Sequence, residues 1–439
     1  MTARQESNPL VRVSLVLIFA AYAAGRVLSA LPALARPRDL ADTDAYLRIS
    51  RQPIFDPDFW GSTRPFVFPL LLKVTQQDLQ LAAAIQLGLS ILAWSFLAWM
   101  ITRTIRTSGL QIPAFVLILA FSLDRHIAGW DFVMMTESLS LSIWAVFIGL
   151  CIWLMEAWHP VKVAGIVLAG FLLVFIRDTN AWILLLFGGL IAAAVLLRFM
   201  QTRSLILSIC FLGLFAINQI NADMGFRWVF PLGNLIGKRV LPYGAPMQFF
   251  TDCGMPVSPA LIKLAGQFAN TQERAMFEDP ELETFRAWMM SSARACYMRW
   301  LVADPVHSLG EVFTKFDEMA AFHEVDGYFS RAYDPLMPVV IGRFFYPERS
   351  SMLIWVITTL AAAAAVWRRY WKENHLWGAF IFINLLVFPH LYLAWHGDAM
   401  APDRHALVAG MQLYLSFWLL VLVSLDKVRE RRDKVTPQT

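Results

Sequence analysis

Two carboxylates one residue apart, Asp42 and Asp44 in "ADTDAYLRIS", follow directly on the first long apolar run of the chain, with Tyr46 two positions on. An acidic pair at i, i+2 can take a proton from a hydroxyl or hold a divalent cation. The same residues can start a helix, because Asp or Thr ahead of "AYLRISRQ" satisfies free backbone N–H groups. From the residues alone both readings stand. More charge appears far along the chain: Asp131 and Glu137 in "WDFVMMTESLSL", Arg177-Asp178 between two apolar runs, and Asp403, Arg404 and His405 in "DRH". Charge beside apolar spans is costly and biased toward function. The plainer readings are a snorkelling or locally paired Arg177, a Glu137 that favours the first turn of its helix, and an exposed Asp124-Arg125 pair contributing little.

The elements that must position these groups are membrane spans. The chain of 439 residues is 58% hydrophobic and only 16% charged, and its mean hydropathy is +0.53. Stretches of about 18 or more apolar residues recur, enough to cross the hydrocarbon core. The expected fold is all-α and polytopic, with about ten transmembrane helices, interfacial helices and a mostly helical cap. The spans fall at 10–33, 79–101, 112–124, 136–155, 163–177, 180–197, 204–221, 351–367, 376–395 and 406–425, two of them short for a bilayer. Three segments result: an N-terminal module over 1–221, a cap over 222–350 and a C-terminal module over 351–439. The run "LVRVSLVLIFAAYAAGRVLSALPALA" ends like a signal peptide, but Arg26 interrupts it and it is long for that role, so it is read as an uncleaved first helix.

Basic residues orient the spans. Arg103, Arg106, Lys162, Arg198, Arg203, "WRRYWK" and "KVRERRDK" all fall on one side if the span count is even, which puts both termini in the cytoplasm. The other side receives 34–78, 124–137, 177–180, 222–350 and 396–406, and with them nearly every acidic residue that needs explaining. The net charge of +4 is spread as a topology signal and makes no nucleic-acid surface. Cys151 and Cys210 read as packing residues, and no cysteine pair has zinc spacing; an oxidising compartment allows a disulfide between Cys253 and Cys296. Trp60, Trp130, Trp228 and Trp395 read as an interfacial belt. Residues 281–302 and 307–322 read as amphipathic helices, the second lying at the interface. His323, Glu324 and Asp326 read as cap surface or lid contacts.

The order and shared sidedness of these motifs resemble the GT-C superfamily of integral-membrane glycosyltransferases. The matching residues are Asp42, Asp44 and Tyr46, then Arg64, Pro65, Pro69, Leu70 and Leu71; Trp130 and Asp131 in the second outward loop, with Glu137 opening the fourth span; and "DRH" at 403–405. The 42–46 spacing is also similar to the luminal acidic region of the GPI mannosyltransferases. The cap, by contrast, matches nothing in the family. The resemblance implies a sugar moved from a polyprenyl-phosphate donor in the plasma membrane of a bacterium to an extracytoplasmic glycan, lipid or protein acceptor. It implies Asp44, then Asp42, as the catalytic base, with Asp131, Glu137 and Tyr46 orienting acceptor or metal. Arg177, Arg64 and Arg404 would hold the donor phosphate, with His405 and Asp403 secondary. The Asp42–Asp44 shape permits Mg or Mn, although some members of the family work without a metal.

Three other classes fit a polytopic chain, one of them a non-catalytic scaffold whose cap binds a partner, which donor turnover in membranes would distinguish. A transporter or flippase would show repeated halves and midplane charge, whereas here the halves differ and the polar residues cluster outward. A polysaccharide ligase or polymerase also uses lipid-linked donors, and the length of its product would distinguish it.

Overall fold

The computed structural model describes residues 9–271, 275–321, 325–347 and 349–435 and is helical throughout, with no strand among the described residues. Seven helices are long and apolar enough to cross a membrane: Pro9–Leu34, Leu79–Thr104, Glu137–Glu156, Asp178–Leu196, Thr202–Met224, His375–Gly397 and Leu407–Arg432. An eighth span exists if Ser108–Ser122 and Arg125–Phe132, bent by 57° at their junction, count as one. Pro160–Ile176 and Ser351–Trp367 are apolar but shorter. Every expected span lies on a helix, but fewer than ten helices have full crossing length.

Local chemistry sets the helix ends. The Asp78 carboxylate accepts from the N–H groups of Gln80 and Leu81 and so starts Leu79–Thr104. Asn374 does the same for Leu376. Pro160 opens its helix where its missing N–H costs nothing.

Glu137–Glu156 is largely buried and packs chiefly on Leu79–Thr104. The two backbones approach closely at Gly149, where a Cβ would come within 2.7 Å of the Phe96 side chain. Asp178–Leu196 packs on Leu205–Met224, and His375–Gly397 on Leu407–Val435.

Between residues 224 and 350 the chain forms short helices. Leu232 to Leu301 contribute a second apolar cluster, whereas Val312 to Tyr346 join the main one. The amphipathic segments are broken: 281–302 contains Glu283–Trp288, a wider turn at Met289–Ala293, and Arg294–Ala303. The 307–322 segment falls on Pro305–Thr314 and Phe316–Ala321. Val306, Leu309 and Phe313 are exposed, an apolar stripe of the kind an interfacial helix presents. Cys253 and Cys296 are disulfide-bonded, closing 43 residues. His323 and Glu324 lie outside the described residues, as does the side chain of Asp326.

Two expectations fail on burial. Trp130 is a core residue at 0% exposure, edge-on to Phe329, and not part of a belt. Asp124 is also buried; its carboxylate accepts from the His126 N–H and sits 2.6 Å from His126 Nδ1.

Candidate active site

A short tie between two loops brings the acidic pair to its neighbours. Arg38 N–H donates to the Phe132 carbonyl at 2.7 Å, and Met134 N–H donates back to Arg38 at 2.9 Å. Thr43, between the two aspartates, accepts from Leu40 N–H at 2.9 Å and donates to the Met134 carbonyl at 3.1 Å. Thr43 thus both starts the Ala41–Arg51 helix and fastens it beside the turn that leads into Glu137. The two carboxylates then part, because residues i and i+2 of a helix point to nearly opposite sides. Asp42 faces inward and Asp44 is exposed.

Inward lies a cavity of about 370 Å³. Asp42, Tyr46, Arg64, Glu137, Arg177, Arg404 and His405 all line it, drawn from four distant parts of the chain. Asp44, Asp131 and Asp403 do not. Arg64 pairs with one oxygen of Asp42 at 2.6 Å and Arg404 with the other at 3.2 Å. Arg404 Nε and Arg177 approach the same Glu137 oxygen, at 3.7 and 3.5 Å. Glu137 is 1% exposed. Neither that oxygen nor Arg404 Nε has a hydrogen bond among the described residues, so two buried polar atoms face the cavity with unused capacity.

Sequence reasoning missed part of the wall. Arg227 clamps Asp178 through two bonds of 2.9 and 3.0 Å and reaches Asn221 at 2.6 Å, so Asp178 serves Arg227 and leaves Arg177 to Glu137 and His405. The available signal was a lone arginine in the aromatic run "FRWVF" immediately after a span. Asp398 accepts from Asn234 at 2.9 Å, and burial raises its pKa. Five arginines and four carboxylates line the space, leaving an excess of at least one positive charge. Trp182, Trp228, Leu232, Met298, Leu301 and Leu393 make the remaining wall apolar.

His405 is neutral in this setting. Burial first, then Arg177, Arg404 and Arg64, push its pKa well below the ordinary imidazole value. Arg177 donates to Nδ1 at 2.9 Å, so the ring proton sits on Nε2, 3.9 Å from Asp398. Unfolding would free the ring to protonate below its unperturbed pKa of about 6.5. Stability from this group is therefore complete above that pH and is lost as the pH falls, by up to about 1.4 kcal/mol at pH 5.5. Asp398, shifted upward, acts in the opposite sense on acidification. The comparison with His405→Gln isolates the histidine: its thermal midpoint in detergent should fall less than that of the wild type between pH 7.5 and 5.5. Equal slopes would assign the acid sensitivity elsewhere.

Asp131, expected at the acceptor, is buried below the site. Its carboxylate pairs with Arg26 and accepts from Ser138 at 2.6 Å, and the Gln86 amide donates to its backbone carbonyl at 3.1 Å. It holds the loop and does not touch the cavity. A divalent ion does not fit the Asp42–Asp44 pair: the carboxylates diverge, and arginines occupy both oxygens of Asp42. Among the described residues no three His, Cys, Asp or Glu side chains come together as a metal cluster. No protein-family model matches the sequence and no curated protein is significantly similar to it, so the chemistry of the site is argued from these residues.

Proposed function

We propose that the chain is a glycosyltransferase of GT-C type that moves one sugar from a polyprenyl-phosphate donor to an extracytoplasmic acceptor. One observation carries this reading: a carboxylate, three arginines and a neutral histidine from distant segments share one cavity with an apolar wall. That combination suits a ligand with an anionic head and an apolar tail, and it supplies an acid–base group beside the head.

In this reading the roles follow from position. Asp42 takes the proton of the acceptor hydroxyl. The oxygen then attacks the anomeric carbon, the bond from that carbon to the phosphate oxygen breaks, and the polyprenyl phosphate departs with the electron pair. Arg404, Arg177 and Arg64 stabilise the charge that develops on it. A phosphate drawing Arg64 and Arg404 toward itself would release Asp42 from both of its partners. Glu137 orients Arg177 and Arg404, and Tyr46 borders the acceptor. The attack is single, so the anomeric configuration inverts.

The sidedness also belongs to the proposal: ten spans, both termini in the cytoplasm of a bacterium and the site on the outer face of its plasma membrane. The disulfide supports the outward face, because Cys296 adjoins Tyr297, which lines the cavity, and disulfides persist in oxidising compartments.

The test is turnover of a labelled polyprenyl-phosphate sugar by membranes containing the chain. Appearance of free polyprenyl phosphate together with a singly glycosylated product is the expected result. Transbilayer movement of intact donor would indicate a transporter, and long products a polymerase.

A further inference from the structure

The bundle carries a second cleft at its far end, unrelated to the site above. Glu137 borders the candidate active site and Glu156, the last residue of the same helix, borders this cleft. A helix of 20 residues separates them, about 30 Å at 1.5 Å per residue. The cleft, about 520 Å³, lies where four helices end: Leu79–Thr104, Glu137–Glu156, Pro160–Ile176 and His375–Gly397.

Its lining is basic and aromatic. Arg103 pairs with Glu156 at 3.0 Å, and Arg106 with Glu430 at 3.2 Å. Lys162 donates to the carbonyls of Trp153 and Ala157 at 2.7 and 2.9 Å, with its ammonium 4.8 Å from the centre of the Trp153 ring. Three cations and two carboxylates, Glu156 and Glu373, line the cleft; from just outside the lining Glu430 pairs with Arg106 and Lys427 with Glu373. Two helices begin here, at Pro160 and His375, and the N-terminal end of each helix dipole also favours an anion.

The cleft does not stand alone. Lys162 lines it, and the next residue, Val163, lines an apolar groove of about 600 Å³. That groove runs between Pro160–Ile176 and Leu205–Met224 past Trp158, Val167, Phe171 and Leu214. Arg203 lies over the Trp158 ring at its mouth, 5.0 Å from the ring centre. Successive residues of one helix, Lys162 and Val163, thus line a basic aromatic cleft and an apolar groove. An inorganic anion uses only the first part, and a neutral lipid gains nothing from the cations. A molecule that is anionic at one end and acyl at the other uses both.

We infer that this cleft and groove bind one anionic phospholipid, its phosphate among Arg103, Arg106 and Lys162 and an acyl chain along Val163, Val167 and Phe171. The lipid ties the ends of the four helices together from the leaflet opposite the candidate active site. The inference does not depend on the glycosyltransferase reading.

Native mass spectrometry of the purified full chain tests it, with titration of phosphatidylglycerol against phosphatidylcholine of the same acyl chains. The expected result is one phosphatidylglycerol retained in preference to phosphatidylcholine. The double substitution Arg103→Gln/Arg106→Gln should lower that preference by roughly 25-fold, at about fivefold per cation near the membrane surface. Thermal midpoints in phosphatidylcholine micelles show whether that variant is folded. If it is not, Leu168→Ser, in the groove and 60% exposed, is read instead and should weaken phosphatidylglycerol retention while leaving the fold intact. Equal retention of the two lipids by the wild type would overturn the inference. So would inorganic phosphate displacing the lipid completely, or an undiminished preference in a folded variant.

Discussion

Asp42→Asn is expected to lower sugar transfer by about 10²- to 10⁴-fold, the contribution of a positioned general base. Asp44→Asn should stay within about threefold of the wild type, because an exposed carboxylate outside the cavity contributes little to a proton transfer inside it. The two residues share a motif, a charge and a helix turn, so the contrast isolates geometry. Asp42 lies between Arg64 and Arg404 in the cavity, and Asp44 does not reach it. Asparagine preserves the shape and keeps one acceptor oxygen for one of the two arginines, while its NH2 group faces the other, so thermal stability must be read beside activity to separate loss of the base from collapse of the pocket. Matching thermal midpoints for the two variants would secure that separation. Full activity in Asp42→Asn, or a large loss confined to Asp44→Asn, would remove the assigned base.

The largest stability effect should come from Asp131→Ala. Its partner Arg26 is 3% exposed and also donates to Tyr22 at 3.1 Å, to the Ser122 carbonyl at 3.3 Å and to Ser90 at 3.3 Å. Removal of the carboxylate leaves a guanidinium buried among neutral groups and should cost about 3–5 kcal/mol. Arg26→Met/Asp131→Ala removes both charges and should be more stable than Asp131→Ala alone, since no uncompensated ion remains. Thermal unfolding in detergent reads both. If Asp131 instead acted on the acceptor, its removal would abolish transfer with the midpoint unchanged. The same network anchors the loop that leads through Met134 to Glu137, so its loss should also loosen the tie between Thr43 and Met134.

The membrane skeleton was legible because span length and apolar composition are local quantities. Each apolar run became a helix, while the bend after Ser122 and the shortness of Pro160–Ile176 kept full-length crossings to seven or eight. The site was partly legible. Arg177 and Arg404 are marked by charge beside apolar spans and Arg64 by the resemblance, and all three line one cavity. The choice between Asp42 and Asp44 was not legible, since it depends on which side of a helix faces the bundle. Nor was the fate of Asp131, because its partner Arg26, visible in sequence only as an interruption of the first run, lies 105 positions away. Arg227 and Asp398 were overlooked for the same reason: their partners, Asp178 and Asn234, are distant in the chain and become neighbours only after folding.

The most direct measurement is an electron cryomicroscopy map of the protein in nanodiscs loaded with polyprenyl phosphate. The lipid phosphate is expected within hydrogen-bonding distance of Arg404 and of Arg177 or Arg64, with the Asp42 carboxylate turned toward the open space beside it and the chain along the Trp182–Trp228 wall. A phosphate bound away from the cavity, with Arg404 still joined to Asp42 and Glu137 as in the free protein, would contradict it.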